Sequence, residues 1–363
     1  MNYLIDADIA RACALPGCFY GDAAAYPLAR DRVFARSWQW LGTVDDVASP
    51  GSLSPRDLLP GLIDEPLLLA RDGAGTLRCL SNVCTHRGNI LVKAACKAKD
   101  IRCGYHSRRF DLAGHMTFMP EFAEAKDFPS DSDHLPVVPF GEWAGHAFAS
   151  LDPLAPLAEF LGDMQASVAS LPLDAMRLDP SRSRDYTVNA HWALYVENYL
   201  EGFHIPFVHA GLDEVVDYSA YRTELHRWSN VQVAQSKEGA LAAQYWWIFP
   251  NLMLNFYPWG LSLNLVQPQG IDRTRVLFRS FVSDATKLGE GAGASLDRVE
   301  AEDEAIVEAV QRGVRSRLYT RGRYSPTRER GVHHFHRLLT AALARETTTI
   351  PTCPMRDDLQ DLS

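Results

Sequence analysis

The sequence predicts an α+β chain in two folded parts, on three observations. Strand-like runs punctuated by Gly, Asp and Pro fill residues 41–152. The text changes character at Asp152-Pro153. Beyond it, long strand-like runs between residues 240 and 283 precede a long helical pattern, an order that suits a broad antiparallel sheet wrapped round a helix.

Taken in order, residues 1–40 carry short apolar clusters ending in Phe34 to Trp40. They read as a helical segment that feeds a strand and packs on the large domain of residues 153–363. Leu67–Ala70 and Thr76–Leu80 flank Asp72-Gly73-Ala74-Gly75, a hairpin with a glycine turn. Trp143–Ser150 reads as a further strand, and Pro120, Pro129, Pro136 and Pro139 mark loops before it. Residues 154–170 repeat apolar side chains at helical spacing, and Asp185–Asn189 is a strand. Ala193 to Ile205 is predicted helical, stopped by Pro206, which cannot continue a helix. Tyr245–Phe249, Leu252–Tyr257, Leu261–Val266 and Val276–Val282 are strands. Ser295 opens a long helix through Arg317, with Asp297 where the helix dipole favours an acid, and a last helix spans Val332–Ala344.

Composition narrows the function. The 363 residues are 47% hydrophobic and 22% charged, a globular balance. Lys and Arg number 36 against 45 Asp and Glu, a net charge of −9 that argues against a nucleic-acid partner. No apolar run is long enough to span a bilayer, so no membrane partner is expected. The opening residues have no basic start and carry Asp6, so no secretion signal is expected. The seven cysteines (Cys13, Cys18, Cys79, Cys84, Cys96, Cys103 and Cys353) are odd in number, which favours metal binding or burial over disulfides and a cytoplasmic location.

Cys84-Thr-His86 and Cys103-Gly-Tyr-His106 are the strongest local signal. Each knuckle offers one thiolate and one imidazole. A tetrahedral zinc could use the same four ligands, but structural zinc sites usually segregate cysteine pairs from histidine pairs. Interleaved knuckles suit a Rieske [2Fe–2S] cluster, with both cysteines on one iron and both histidines on the other. Cys79 and Cys96 lie off the pattern and read as plain thiols.

A second signal is Glu197-Asn198-Tyr-Leu-Glu201-Gly-Phe-His204-Ile-Pro206-Phe-Val-His209. Two histidines with one carboxylate leave positions open on a mononuclear Fe(II), as in non-haem oxygenases. Glu201 shares a helical face with His204 and reads as either a ligand or a partner of one. The C-terminal helix offers Glu300, Glu302, Asp303, Glu304 and Glu308, most of them a solvated face, with Asp303 a plausible inward acid.

With these motifs in hand, the chain resembles the catalytic α subunit of the Rieske non-haem iron oxygenases over almost its whole length. The resemblance rests on CTHRG (84–88), CGYH (103–106) and ENYLEGFHIPFVH (197–209). The stretches from Glu302 to Ser316, Gly322 to Pro326 and Val332 to His336 resemble the choline and glycine-betaine monooxygenase-like branch. It implies a small all-β Rieske domain (41–152) and a helix-grip, START-like catalytic domain (153–363). It implies a cluster on Cys84, His86, Cys103 and His106, and iron on His204, His209 and Asp303. It implies a homotrimer in which electrons cross to a neighbouring subunit's iron through the carboxylate at Glu201, where glutamate is similar to members acting on quaternary amines. Asn198 maps onto a family asparagine near the iron. One position departs from the pattern: Ser107 stands where the family has glycine, so the loop is expected to be strained.

Tyr245, Trp246, Trp247, Phe249, Phe256, Tyr257 and Trp259 crowd the strands. Most are expected in the core; the sharper reading is a cage for an ammonium cation, and flat aromatic substrates would suit the same walls. Three functions compete: a terminal oxygenase that hydroxylates a small quaternary ammonium or aromatic compound, with dealkylation as a following step; an electron-transfer Rieske protein; and a zinc-stabilised binding module. No nucleotide-binding fingerprint follows a strand, so the electrons must come from a separate reductase or ferredoxin.

Overall fold

The computed structural model describes residues 3–289, 291–293 and 296–345; Ser295 and Cys353 lie outside them. The architecture is α+β. The small domain is built from short antiparallel strands: a five-stranded sheet containing the Glu65–Arg71 and Leu77–Ser81 hairpin, and a three-stranded sheet formed by Ile101–Arg102, Arg109–Phe110 and Met116–Phe118. Leu68, Leu80 and Phe110 fill one of its cores, which also takes in Cys84 and Cys103. The expected single strand 143–150 is a hairpin: Ala144 and Gly145, at φ 47° and 77°, turn the chain between Phe140–Trp143 and His146–Ala149.

The large domain carries a seven-stranded antiparallel sheet. Its order runs Arg177–Val188, Arg273–Val282, Gly260–Gly270, Leu252–Tyr257, Leu241–Ile248, Ser229–Gln235, Arg222–Leu225. The longer helices that accompany it are α1 (Leu157–Ser167), α2 (Trp192–Tyr199), α3 (Leu296–Gly313) and α4 (Arg330–Ala344). The apolar face of α4 is buried through Val332, Phe335 and Leu339 in a core that also contains Trp192, Trp247 and Phe249. Residues of the N-terminal segment, among them Phe19, Val33 and Phe34, join that same core, with Phe34 edge-on to Trp192 at 4.8 Å. Trp38 Nε1 donates to the carbonyl of Ala155 at 2.9 Å and fastens the segment to the start of the large domain.

One element differs from the sequence reading in a way that shapes the site. α2 ends at Tyr199, six residues earlier than expected, and Pro206 lies in the first turn of a new short helix, Ile205–Val208. The break falls where the chain must pass the Tyr221 ring. A Cβ on Gly202 would lie 2.5 Å from that ring, so only glycine fits there. The non-helical stretch 200–204 turns His204 back toward His209.

Candidate metal centres

The two knuckles of the small domain are built alike. The backbone N–H of Gly88 donates to the carbonyl of Cys84 at 2.9 Å, and that of Ser107 to the carbonyl of Cys103 at 3.1 Å. Both donors sit four residues after their cysteine at positive φ, 70° for Gly88 and 62° for Ser107. Ser107 therefore adopts the conformation that glycine supplies freely, and its hydroxyl accepts from Arg102 at 2.9 Å.

The loops bring Cys84, Cys103, His86 and His106 together. The cysteines are buried, and the imidazole centroids lie 4.8 Å apart. Nδ1 of His86 and Nδ1 of His106 are both buried without a hydrogen-bond partner. Two orphaned imidazole nitrogens beside two buried thiols fit a metal cluster, because an uncompensated buried polar atom is otherwise costly. Burial pushes the Cys103 thiol up, but hydrogen bonds from the backbone N–H groups of Tyr105 and His106, together with those from the Cys84 and Asn89 side chains, outweigh it and favour the sulfur anion. Asn89 Nδ2 approaches Cys103 Sγ at 3.6 Å. Buried Arg108, paired with Asp133, stands behind the knuckle. Cys79 and Cys96 stay outside: burial pushes Cys79 up to about 12, and Cys96 is exposed.

In the large domain His204, His209 and Asp303 each offer one donor atom, and the three atoms lie within 4.8 Å of one another. His209 Nε2 is 3.1 Å and His204 Nε2 3.5 Å from the same Asp303 oxygen. The far nitrogens are also held. His204 Nδ1 is 2.6 Å from Glu201, and His209 Nδ1 is 2.8 Å from Glu302. Each pair leaves Nε2 for a metal, the arrangement by which outer carboxylates orient imidazole ligands. Burial pulls His209 down, yet the facing carboxylates Asp303 and Glu302 outweigh it and raise it, a field that equally favours a bound cation. Two imidazoles and one carboxylate fit a ferrous ion with open positions. Glu201 stands outside this donor group; its carboxylate also accepts from the backbone N–H groups of Phe203 and His204.

A cavity of about 110 Å³ opens over these donors, with Asn198 and Glu201 in its wall. The sheet supplies one row of its lining through register: Gln232 pairs Tyr245, Tyr245 pairs Asn255, and Asn255 pairs Ser262. Alternation sends the neighbouring Trp246 to the other face, where it is buried. Of the seven aromatic residues singled out in the strands, only Tyr245 and Tyr257 reach the cavity among the described residues. Tyr195, Tyr199, Tyr221 and Phe278, which sequence reasoning missed, complete its aromatic wall. Glu300, counted from sequence with the mostly solvated acids of its helix, is instead 6% exposed, lines the cavity, and accepts the Tyr195 hydroxyl on both carboxylate oxygens at 2.8 and 2.9 Å. Burial lifts Glu300 well above the usual carboxylate range.

A small domain with two Cys/His knuckles and a sheet-and-helix domain with a His/His/Asp donor group define a class: iron–sulfur oxygenases with a separate mononuclear iron. Residues 37–129 match the Rieske [2Fe-2S] domain, and residues 173–345 match the ring hydroxylating alpha subunit (catalytic domain). The chain belongs to the Rieske non-haem iron oxygenases as a catalytic α subunit, an oxidoreductase whose family carries a [2Fe–2S] cluster and a mononuclear iron. It is 29% identical over 357 residues to the chloroplastic choline monooxygenase of Arabidopsis thaliana, covering 91% of this chain and 82% of that protein. It is also 29% identical over 352 residues to the carnitine monooxygenase oxygenase subunit of Escherichia coli K12, covering 90% and 93%. In fold it matches the quaternary ammonium Rieske monooxygenase CntA bound to L-carnitine with a TM-score of 0.75 at 23% identity, over 94% of this chain and 99% of that one. Naphthalene 1,2-dioxygenase with bound indole matches with a TM-score of 0.71 at 17% identity, over 94% and 95%. Among the described residues no helix is long and apolar enough to cross a membrane.

Proposed function

We propose that this chain is the terminal oxygenase of a system that hydroxylates a small quaternary ammonium compound, with electrons from a separate reductase or ferredoxin. The observation that carries the substrate class is the aromatic wall over the His204/His209/Asp303 group. Tyrosines 195, 199, 221, 245 and 257 surround one small cavity, and each ring face offers a cation about 0.5–2 kcal/mol. The likeness to proteins named for choline and carnitine oxidation supports the same reading.

In this reading Cys84, Cys103, His86 and His106 hold the cluster, and His204, His209 and Asp303 hold the iron. When bound, the two groups supply single electrons and the reductive activation of O₂. The protein's own residues do the rest. Glu201 and Glu302 hold the Nδ1 protons of the two imidazoles, so each ring presents Nε2 to the metal. Asn198 and the tyrosines hold the substrate beside the open positions. Glu201 also bridges to a neighbouring subunit's cluster in a homotrimer. Phe203 and Phe207, 42% and 78% exposed on either side of His204, support a subunit contact at this edge. A cytoplasmic location is supported by cysteine usage, the six described cysteines all being free.

The test is O₂ uptake by the purified oxygenase with a reductase and reductant, across quaternary ammonium compounds and small aromatics. Uptake with stoichiometric hydroxylation of an ammonium compound is expected. Turnover of aromatics alone would overturn the substrate class.

A further inference from the structure

Among the described residues the cavity contains three acids, and two are occupied. Glu201 is paired with His204, and Asp303 faces both histidine Nε2 atoms. Glu300 is the one left over. It lies three residues before Asp303 on α3, on the same helical face, and so in the same cavity. A single hydroxyl, that of Tyr195, serves both of its oxygens, and no Lys, Arg or His pairs with it among the described residues. The described lining contains no Lys or Arg at all. The remaining polar lining is uncharged: Asn198, Gln232, Asn255, Ser262 and Asn264.

Resting on the quaternary ammonium reading above, we infer that Glu300 is the counter-ion for the substrate's ammonium, and that the cavity selects a cation with an uncharged hydroxyl tail over a zwitterion that carries a carboxylate. Among the described residues only Tyr195 partners Glu300, and burial without a counter-charge holds it toward the neutral acid; an ammonium group in the cavity supplies the charge that favours its carboxylate. A substrate carboxylate would instead enter a site already holding Glu300 and Asp303, with no Lys or Arg in its described lining to receive it. Side-chain amides and Ser262 satisfy a hydroxyl without that cost. Glu300 thus sets specificity without touching the metal.

The experiment measures anaerobic binding by calorimetry, and coupled O₂ uptake, for choline, glycine betaine and the neutral isostere 3,3-dimethylbutan-1-ol. The wild-type protein is expected to bind choline at least about tenfold more tightly than either of the others, the scale of one charge-assisted contact. Glu300→Gln, which preserves shape and the Tyr195 contact, is expected to weaken choline by about ten- to a hundredfold and leave the neutral alcohol unchanged. A wild-type preference for glycine betaine, or a Glu300→Gln protein that keeps its preference for choline over the alcohol, overturns the inference while the ammonium reading stands. If the wild-type protein binds neither choline nor glycine betaine better than the neutral alcohol, the ammonium reading fails as well. The wild-type comparison needs no variant, and an unchanged visible spectrum checks that the variant is folded.

Discussion

His209 is clasped from both sides by consecutive acids: Glu302 lies 2.8 Å from its Nδ1, and Asp303 lies 3.1 Å from its Nε2. Neighbouring residues on a helix point about 100° apart, so two adjacent acids can grip one imidazole only when the ring lies between their directions. His209, buried against α3, does so. Glu302 is itself steadied by Arg298 at 2.9 Å, one turn earlier.

Removing Glu302 therefore loosens the ligand without deleting it. Glu302→Ala is expected to lower Fe(II) affinity about 10–100-fold, the usual cost of losing the outer partner of a metal histidine. Metal titration of the iron-depleted protein checks it, and the spectrum of the cluster should not move. Unchanged affinity would mean that the Nδ1 contact does not orient the ring.

Glu201 makes the corresponding contact to His204 at 2.6 Å, and in the proposed trimer it also faces the incoming electron. Glu201→Gln is expected to leave cluster reduction intact and to slow reoxidation of the pre-reduced cluster about tenfold or more, as for other outer partners of a metal ligand. Single-turnover spectroscopy reads both steps. Reoxidation at the wild-type rate would remove Glu201 from the electron path.

Ser107 holds a left-handed conformation, φ 62°, that its counterpart Gly88 adopts at no steric cost. A β-branched side chain suits that region least. Ser107→Val is expected to destabilise the small domain by about 1–3 kcal/mol, while Ser107→Gly should be tolerated. Melting temperatures of the two variants decide it, and equal melting would show that the loop is not constrained.

Three histidines are kept neutral by burial: His146 and His334 are each pulled down to about 4, and His191 to about 3, from an ordinary 6.5. Nδ1 of His146 accepts the Trp40 indole N–H at 3.1 Å, as a neutral ring must. Between those values and 6.5 the unfolded chain binds protons that the folded chain refuses. Stability is therefore complete above pH 6.5 and falls as the pH drops toward 4, by about 1.4 kcal/mol per pH unit for each histidine. The melting midpoint should fall steeply between pH 6.5 and 4.5, and less steeply in His146→Gln. Identical slopes would show that His146 is not the buried neutral group described.

How much of this was legible in the sequence followed from how local each feature is. Cys84, His86, Cys103 and His106 lie in two short loops whose spacing points to one metal site, an iron–sulfur cluster ahead of zinc, and the structure keeps them together. His204 and His209 were also in view, but the path between them was not: the helix stops at Tyr199, and at Gly202 the chain passes close to Tyr221, which comes from a different segment. The cavity was the least legible part. Gln232, Tyr245, Asn255 and Ser262 come from four strands and meet only through sheet register, which no one strand encodes. Glu300 and Glu302 were in view but read as solvated helix charges, since helical periodicity does not say which element covers a face.

The central claim is that one chain carries two separate iron centres, and elemental analysis tests it most directly. Anaerobically reconstituted protein should hold three irons for every two acid-labile sulfides, falling to two and two in His204→Ala with the red-brown colour retained. Wild-type protein with two irons and two sulfides would contradict the mononuclear site, and colourless protein with zinc and no sulfide would contradict both.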